Sequence, residues 1–173
     1  MNEPTLFRYV DHALRFAFEQ EHRVIMNQTH GMVSPRRSTR FSGLSPHDLH
    51  AQAAMIRQRV QSFPHLERHY LQAHFGYDLE RHEGMEVVVN WVIAQQPTGV
   101  YVRRAFRMMI EQYIGRGRFA DSGIGHVRKL LKCRKQTALD VRKHVWLQLD
   151  TLRARAVEVA EGSFKALGLV EAN

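Results

Sequence analysis

The chain has 173 residues, of which 25 are Lys or Arg and 17 are Asp or Glu, so its formal net charge is +8. Hydrophobic residues make up 44% of the sequence, which excludes wholesale disorder, and the single cysteine excludes a disulfide framework and any zinc site built on paired cysteines. No apolar run reaches the roughly 20 residues that a membrane span needs, and the N-terminus lacks the apolar core of a signal peptide. We therefore expect a cytoplasmic protein that does not associate with membranes.

The basic charge is concentrated in one part of the chain. Residues 101–155 contain 14 Lys or Arg and four Asp or Glu, a net charge of +10, whereas the remainder has 11 basic and 13 acidic residues, a net charge of −2. A concentrated basic surface is typical of proteins that bind polyanions, usually nucleic acids. The alternative is a solvated helical face, since Arg and Lys are also good helix formers.

Helical periodicity begins near the N-terminus. The first predicted helix covers residues 6–26, and a loop rich in Ser, Gly and Thr follows over residues 27–45. Ser45 is predicted to cap the second helix, with Pro46 at its first position, and the helix should end before Pro64.

The same period continues through the middle of the chain. A third helix is predicted up to Gly76, and a fourth from about residue 79 to residue 96, where the run Val87-Val88-Val89 also permits a strand. Thr98 is predicted to cap a fifth helix, which Gly115 ends.

Two more helices complete the predicted fold. A short sixth helix is expected after Asp121-Ser122, a polar break covers residues 132–136, and a long last helix runs from Thr137 to about Ala166, with Gly168 ending it. The sequence therefore predicts an all-α fold, a single helical domain with a helix-turn-helix and a long C-terminal helix. We divide it into an N-terminal helix and basic loop, residues 1–44, and a helical DNA-binding domain, residues 45–173.

The helix-turn-helix is predicted at about residues 122–146. This motif needs a short helix, a tight turn and a second helix whose N-terminal end is exposed. Ala138 is suited to the point where the two helices cross, because a small side chain permits close approach. The positions predicted to face inward are Val127, Leu131, Cys133, Ala138 and Val141.

The outward positions of this motif carry the predicted DNA contacts. The side chains predicted to bind DNA are Lys135, Gln136, Thr137, Leu139, Arg142 and Lys143. Those predicted to contact phosphates are Arg128, Lys129, Lys132 and Arg134. Gln side chains read adenine edges and Arg side chains read guanine edges in the major groove. The competing interpretation is a basic helical hairpin that binds nothing.

Two stretches carry a resemblance to a known family. Residues 60–78, VQSFPHLERHYLQAHFGYD, combine a hydrophobic helix, a proline, the pair Glu67-Arg68 and an aliphatic run that ends in Phe75-Gly76. They resemble the helix that precedes the helix-turn-helix in sigma-factor region-four-like proteins. Residues 127–145 are similar to the region-four helix-turn-helix itself, although Arg134 stands where a Ser or Thr cap is usual.

With its long closing helix, the layout resembles the late-gene antitermination proteins of lambdoid-type bacteriophages, the Q class. The resemblance implies a protein that binds double-stranded DNA near a late promoter, engages host RNA polymerase and makes it read through terminators. It also implies that the N-terminal two-thirds of the chain faces the polymerase.

Three other functions are compatible with the sequence, the last of them a plain helical adaptor. The first is a conventional helix-turn-helix repressor or activator. The second is a metal-dependent hydrolase built on the histidine-bearing helices, because His65 and His69 have the i,i+4 spacing that lets two imidazoles share a metal ion. We predict a non-enzymatic protein without a cofactor or metal. The sequence leaves the DNA target and the oligomeric state open.

Overall fold

The computed structural model of the protein describes residues 6–30, 45–96, 102–115 and 123–171. Within these ranges the chain forms seven helices, and extended pairing is limited to an isolated bridge between Phe7 and Val170. The helices are α1 (Val10–His30), α2 (Pro46–Gln61), α3 (His65–Phe75), α4 (Asp78–Ala94), α5 (Arg103–Tyr113), α6 (Gly123–Leu131) and α7 (Lys135–Ala166). The predicted all-α class and the long C-terminal helix are confirmed.

The chain divides into two compact units. Unit 1 consists of the described residues within Met1–Phe63 and Val157–Asn173, and unit 2 of those within Pro64–Ala156. Helix α7 therefore contributes its residues up to Ala156 to unit 2 and its later residues to unit 1. The predicted division between residues 44 and 45 stays a prediction. Among the described helices, none combines the length and the apolar character needed to cross a bilayer.

Unit 1 is built on the packing of α1 against α2. The Arg57 guanidinium lies over the Phe18 ring, 4.2 Å from its centroid, and thereby covers an aromatic side chain that is almost fully buried. From the C-terminal part of α7, the buried Phe164 packs its ring 6.2 Å from that of Phe63. Apolar burial of this kind is the main source of stability for the unit.

Ser45 caps α2 as predicted. Its hydroxyl accepts a hydrogen bond from the Asp48 amide at 3.2 Å, and the Asp48 carboxylate accepts one from the Ser45 amide at 2.9 Å. This reciprocal pair satisfies two amides that the first turn leaves without helical partners. The hydrogen bonds from Ser45 also hold the pKa of Asp48 below its ordinary value. Pro46 occupies the start of the helix, where a missing amide is harmless.

The predicted bounds of α1 are wrong at both ends. The helix begins at Val10 rather than at residue 6, because the Phe7 amide donates to the Leu169 carbonyl at 3.1 Å and holds this backbone in the isolated bridge. It extends to His30, four residues into the predicted loop. The first glycine or proline after Met26 is Gly31, so the sequence has no helix breaker before that point. The rest of the predicted loop, residues 31–44, lies outside the described residues.

In unit 2, α3 and α4 approach each other closely at Gly84. A Cβ atom at this position would lie 2.5 Å from the His69 carbonyl oxygen and 2.6 Å from the Ala73 amide nitrogen. Only glycine permits such a backbone approach.

Val88 and Val89 are fully buried in α4, so the β-branched run is helical and not a strand. Thr98, Asp121 and Ser122, the predicted helix starts, lie outside the described residues.

Candidate nucleic-acid interface

Three residues separate α6 from α7, which is the turn length of a helix-turn-helix. Val127 and Ala138 are fully buried and Leu131 is 8% exposed, as their predicted inward positions require. Cys133 and Val141 are half-buried, so the cysteine fills the turn only in part.

Helix α7 begins at Lys135, two residues before the predicted start at Thr137. The Ala138 amide donates to the Arg134 carbonyl at 3.1 Å, and this bond forms the first turn of the helix from residues that the sequence indicated as a polar break. Lys and Gln are good helix formers, so the polarity of residues 132–136 did not by itself indicate where α7 begins. The predicted residues Lys135 and Gln136 therefore belong to the first turn of α7.

The turn itself has a strained backbone at Lys132. The Lys132 amide donates to the Lys129 carbonyl, and the Cys133 amide to the Arg128 carbonyl, both at 3.3 Å. This pair of bonds closes α6 in a Schellman motif, which needs a left-handed residue at its centre. Lys132 takes that conformation, with φ 51°. A non-glycine residue there costs about 1 kcal/mol relative to glycine.

The C-terminus of α7 is closed by the same two bonds, but with the expected residue. There the Gly168 amide donates to the Lys165 carbonyl and the Leu169 amide to the Phe164 carbonyl, each at 3.0 Å. Gly168 has φ 67°. The protein thus uses glycine in one copy of the motif and lysine in the other. Strain that a simple substitution would relieve is characteristic of functional positions.

Five basic residues surround the α6–α7 turn, and we call them the turn cluster. All five are exposed, and among the residues that the structure describes no carboxylate forms a salt bridge with any of them. The members are Arg128, Lys129, Lys132, Arg134 and Lys135. Their positive charge is therefore available to an anionic partner.

Two members of the turn cluster oppose the dipole of α7. Arg134 directly precedes the helix and Lys135 is its first residue, and the first turn contains no acidic residue. A cation at a helix N-terminus is unfavourable by about 0.3–1 kcal/mol, whereas an anion bound there is stabilised by both the dipole and the free amides. The local electrostatics therefore favour a bound phosphate.

Other arginines of the basic segment are neutralised within the fold. Glu86 of α4 forms salt bridges with Arg103 and with Arg107 of α5, the latter at 2.6 Å, and Arg107 also contacts Glu111 at 3.1 Å. The hydrogen bond from Arg103 is the main cause that holds the pKa of Glu86 below its ordinary value of 4.5. These guanidinium groups stabilise the α4–α5 contact and contribute little free charge.

Arg155 is neutralised in the same way. It forms a salt bridge with Glu67 of α3, whose side chain is 4% exposed. A buried carboxylate needs such a partner, because an unpaired charge in the interior is strongly unfavourable. Glu67, which the resemblance marked only as part of an acid–arginine pair, therefore fixes α7 against α3.

The predicted DNA-binding residues of α7 divide between two sides of the helix. Lys135, Leu139 and Arg142 follow one another at spacings of four and three residues and so share a face. Gln136 and Lys143 lie on the adjoining face, and both are exposed. Thr137 is exposed as well, but it precedes Leu139 by two residues and therefore points to the other side.

Two of these side chains have partners on the same helix. Gln136 donates its amide to Asp140 at 3.0 Å, so it must exchange this bond to contact a base. The Arg142 guanidinium lies over the Trp146 ring at 4.9 Å. Trp146 is half-buried beside the predicted contact residues. Its i,i+4 relation to Arg142 is the sequence signal for this arrangement.

An open groove of about 760 Å³ runs along this part of α7. Its lining includes four predicted DNA-binding residues together with an apolar strip formed by Trp146 and Leu147, of which Leu147 is 64% exposed. The four are Gln136, Leu139, Arg142 and Lys143. The structure thus brings most of the predicted base-reading residues to one continuous surface.

The histidines of α3 have local partners. The His65 and His69 rings lie 4.2 Å apart, and the Nδ1 atom of His69 donates to the His65 carbonyl at 2.5 Å. Within the described residues no group of three or more His, Cys, Asp or Glu side chains is arranged to hold a metal ion.

No protein-family model and no curated protein matches this sequence.

Proposed function

We propose that the protein is a sequence-specific DNA-binding transcription regulator that uses α6, the following turn and the first turns of α7. The observation that carries the proposal is the turn cluster, five exposed cations around a three-residue turn that have no acidic partners in the described part of the chain. One of them, Lys132, is held in a conformation that glycine would adopt more easily. Phosphate contacts from Lys and Arg provide most of the affinity of such proteins.

The arrangement of α7 supports major-groove readout. In helix-turn-helix proteins the N-terminal residues of the second helix contact base edges, and the preceding turn lies near the backbone phosphates. Here Gln136, Leu139 and Arg142 lie within the first turns of α7, and the turn cluster adjoins them. Leu139 suits apolar contact with a thymine methyl group, and Arg142 suits a guanine.

Equilibrium binding of the full chain to labelled duplex DNA at modest salt tests this proposal. Lys129→Ala should weaken binding to every duplex by a similar factor, because it removes a phosphate contact. Gln136→Ala should instead reduce the difference in binding free energy between preferred and random duplexes. The reduction should be about 1–3 kcal/mol if Gln136 contacts a base. Wild-type affinity for DNA in both variants would refute the proposed interface.

The most specific form of the proposal is a phage antitermination factor that acts on host RNA polymerase. Its support is the resemblance of residues 60–78 and 127–145 to region-four-like proteins and of the layout to Q-class proteins. Transcription in vitro with a terminator downstream of the promoter separates this form from a conventional regulator. Readthrough that depends on the protein supports antitermination, whereas promoter occlusion or simple activation supports a repressor or an activator.

A further inference from the structure

Arg142 differs from Arg103 and Arg107 in how its guanidinium is held. Its Cζ atom lies 4.9 Å from the centroid of the Trp146 ring, so the guanidinium lies over the indole face. Within the described residues it forms no salt bridge and no hydrogen bond. A cation–π contact is not a hydrogen bond, so it leaves the N–H donors of the guanidinium uncommitted. Arg103 and Arg107, by contrast, donate to carboxylates.

The indole that supports Arg142 is itself fixed. The Trp146 Nε1–H donates to the Met109 carbonyl of α5 at 3.1 Å. The Tyr113 ring lies 6.2 Å from the Trp146 ring, and the Tyr113 hydroxyl donates to Asp150 at 2.6 Å. Contacts with α5 therefore hold the Trp146 ring, which we call the platform. Its orientation does not depend on α7 alone.

A guanidinium held in a fixed orientation, as in Arg142, is suited to the recognition of guanine. Arginine recognises guanine through two parallel hydrogen bonds to O6 and N7, which require the plane of the guanidinium to be correctly oriented. A side chain that is already oriented loses less conformational freedom on binding. A phosphate contact needs positive charge but no fixed plane, and the freely exposed Lys129 and Lys135 suit it better.

We infer that Trp146 is a positioning residue that presents the Arg142 guanidinium to the O6 and N7 atoms of a guanine. This inference rests on the proposed DNA-binding function and adds to it a base identity and a residue that does not itself contact DNA. It assigns to Trp146 an effect on sequence preference rather than on overall affinity.

The test begins with selection of preferred duplexes from a random pool by the wild-type chain. At one position the wild type should prefer guanine over adenine by roughly tenfold to hundredfold. Arg142→Lys keeps the charge but lacks the planar fork, and Trp146→Leu removes the platform; both should lower this preference. Trp146→Phe keeps an aromatic face without the Nε1–H bond and should give an intermediate value. Affinity for random duplex should be unchanged in both Trp146 variants.

A second measurement uses wild-type protein alone. Replacing the selected guanine by 7-deazaguanine removes the N7 acceptor and should weaken wild-type binding by roughly tenfold. The same replacement should have little effect on Arg142→Lys. Thermal unfolding identifies any variant that fails to fold, and if Trp146→Leu does so, the value for Trp146→Phe decides the role of the platform.

The outcomes separate this inference from the proposed function. If the wild type binds duplex DNA but selects no guanine, or if both Trp146 variants keep the wild-type preference while folded, the inference is overturned and DNA binding stands. If the wild type binds no duplex DNA at low salt, the proposed function fails, and the inference fails with it.

Discussion

The backbone amide of Cys133 donates to the carbonyl of Arg128 at 3.3 Å, and the motif closed by this bond places Lys132 in the left-handed region. At the end of α7 the equivalent bond joins Leu169 to Phe164, and the left-handed residue is Gly168. The motif at the end of α6 lies within the turn cluster, of which Lys132 is a member. We interpret the lysine as a residue retained for its charge in spite of its backbone conformation.

Replacing Lys132 by glycine should stabilise the protein and weaken its binding to DNA. Glycine removes the left-handed strain, which should raise the free energy of unfolding by about 1 kcal/mol, and the lost cation removes a phosphate contact. Urea unfolding and fluorescence anisotropy with duplex DNA measure the two effects. Lys132→Ala is the matched control, because it removes the charge and keeps the strain. A Lys132→Gly variant with wild-type DNA affinity would contradict the assignment of Lys132 to the interface.

Much of the fold could be predicted from local sequence signals. Ser45 and Pro46 mark the start of α2, Gly115 follows α5 with φ 73°, and Gly168 follows α7, because caps and left-handed glycines act within a few residues of the helix end. The bounds of α1 and the start of α7 were wrong. The start of α1 depends on backbone pairing with residue 169, and such distant contacts leave no local signal.

The candidate site was predictable only in part. The local charge and the helical period of the sequence predicted the residues of the turn cluster and the DNA-contacting face of α7. They did not show that Arg103, Arg107 and Arg155 are neutralised by carboxylates, because the partners Glu86 and Glu67 are distant in sequence. Nor does any residue pattern indicate a left-handed lysine.

Gly84 should not tolerate alanine, although alanine is the better helix former. The added Cβ would lie 2.5 Å from the His69 carbonyl oxygen, so α3 and α4 would have to separate, at a cost of about 1–3 kcal/mol. Gly162 is the matched control, since a Cβ there meets no atom within 4 Å. Gly162→Ala should stabilise the protein by up to about 1 kcal/mol. Chemical denaturation compares the two variants, and equal effects would refute the close approach at Gly84.

Arg155→Ala should destabilise the protein without a specific effect on DNA binding. The substitution leaves the buried Glu67 carboxylate without its guanidinium partner, and because Arg155 is itself 53% exposed we expect a loss of about 1–3 kcal/mol. DNA affinity measured well below the melting temperature should stay near that of the wild type. A large loss of affinity in folded Arg155→Ala would place this arginine in the interface instead.

Stability should fall in alkaline solution because of two tyrosines, the buried Tyr70 and the half-buried Tyr113. Burial raises the pKa of Tyr113 from 10.0 to about 12, and burial also raises the pKa of Tyr70. The folded state keeps these protons at pH values where the unfolded chain has lost them, so the free energy of unfolding should decrease as the pH rises from about 10 to about 12. Denaturant unfolding at several pH values measures this slope.

Two variants control the alkaline experiment. Tyr113→Phe should make the slope shallower, although it also loses the hydrogen bond to Asp150 and should be less stable at neutral pH by about 1 kcal/mol. Tyr70→Phe should also make the slope shallower, because burial raises the pKa of Tyr70. An unchanged slope in Tyr113→Phe would show that Tyr113 does not retain its proton in this range.

The salt dependence of DNA binding tests the central claim most directly. Each phosphate contact contributes about 0.9 to the slope of log affinity against log salt. Lys129→Ala combined with Lys135→Ala removes two cations of the turn cluster and should lower the magnitude of this slope by about 2. Arg103→Ala combined with Arg107→Ala removes the same charge from groups paired with Glu86 and should leave the slope unchanged. Equal slopes for the wild type and the turn-cluster variant would contradict the proposed interface.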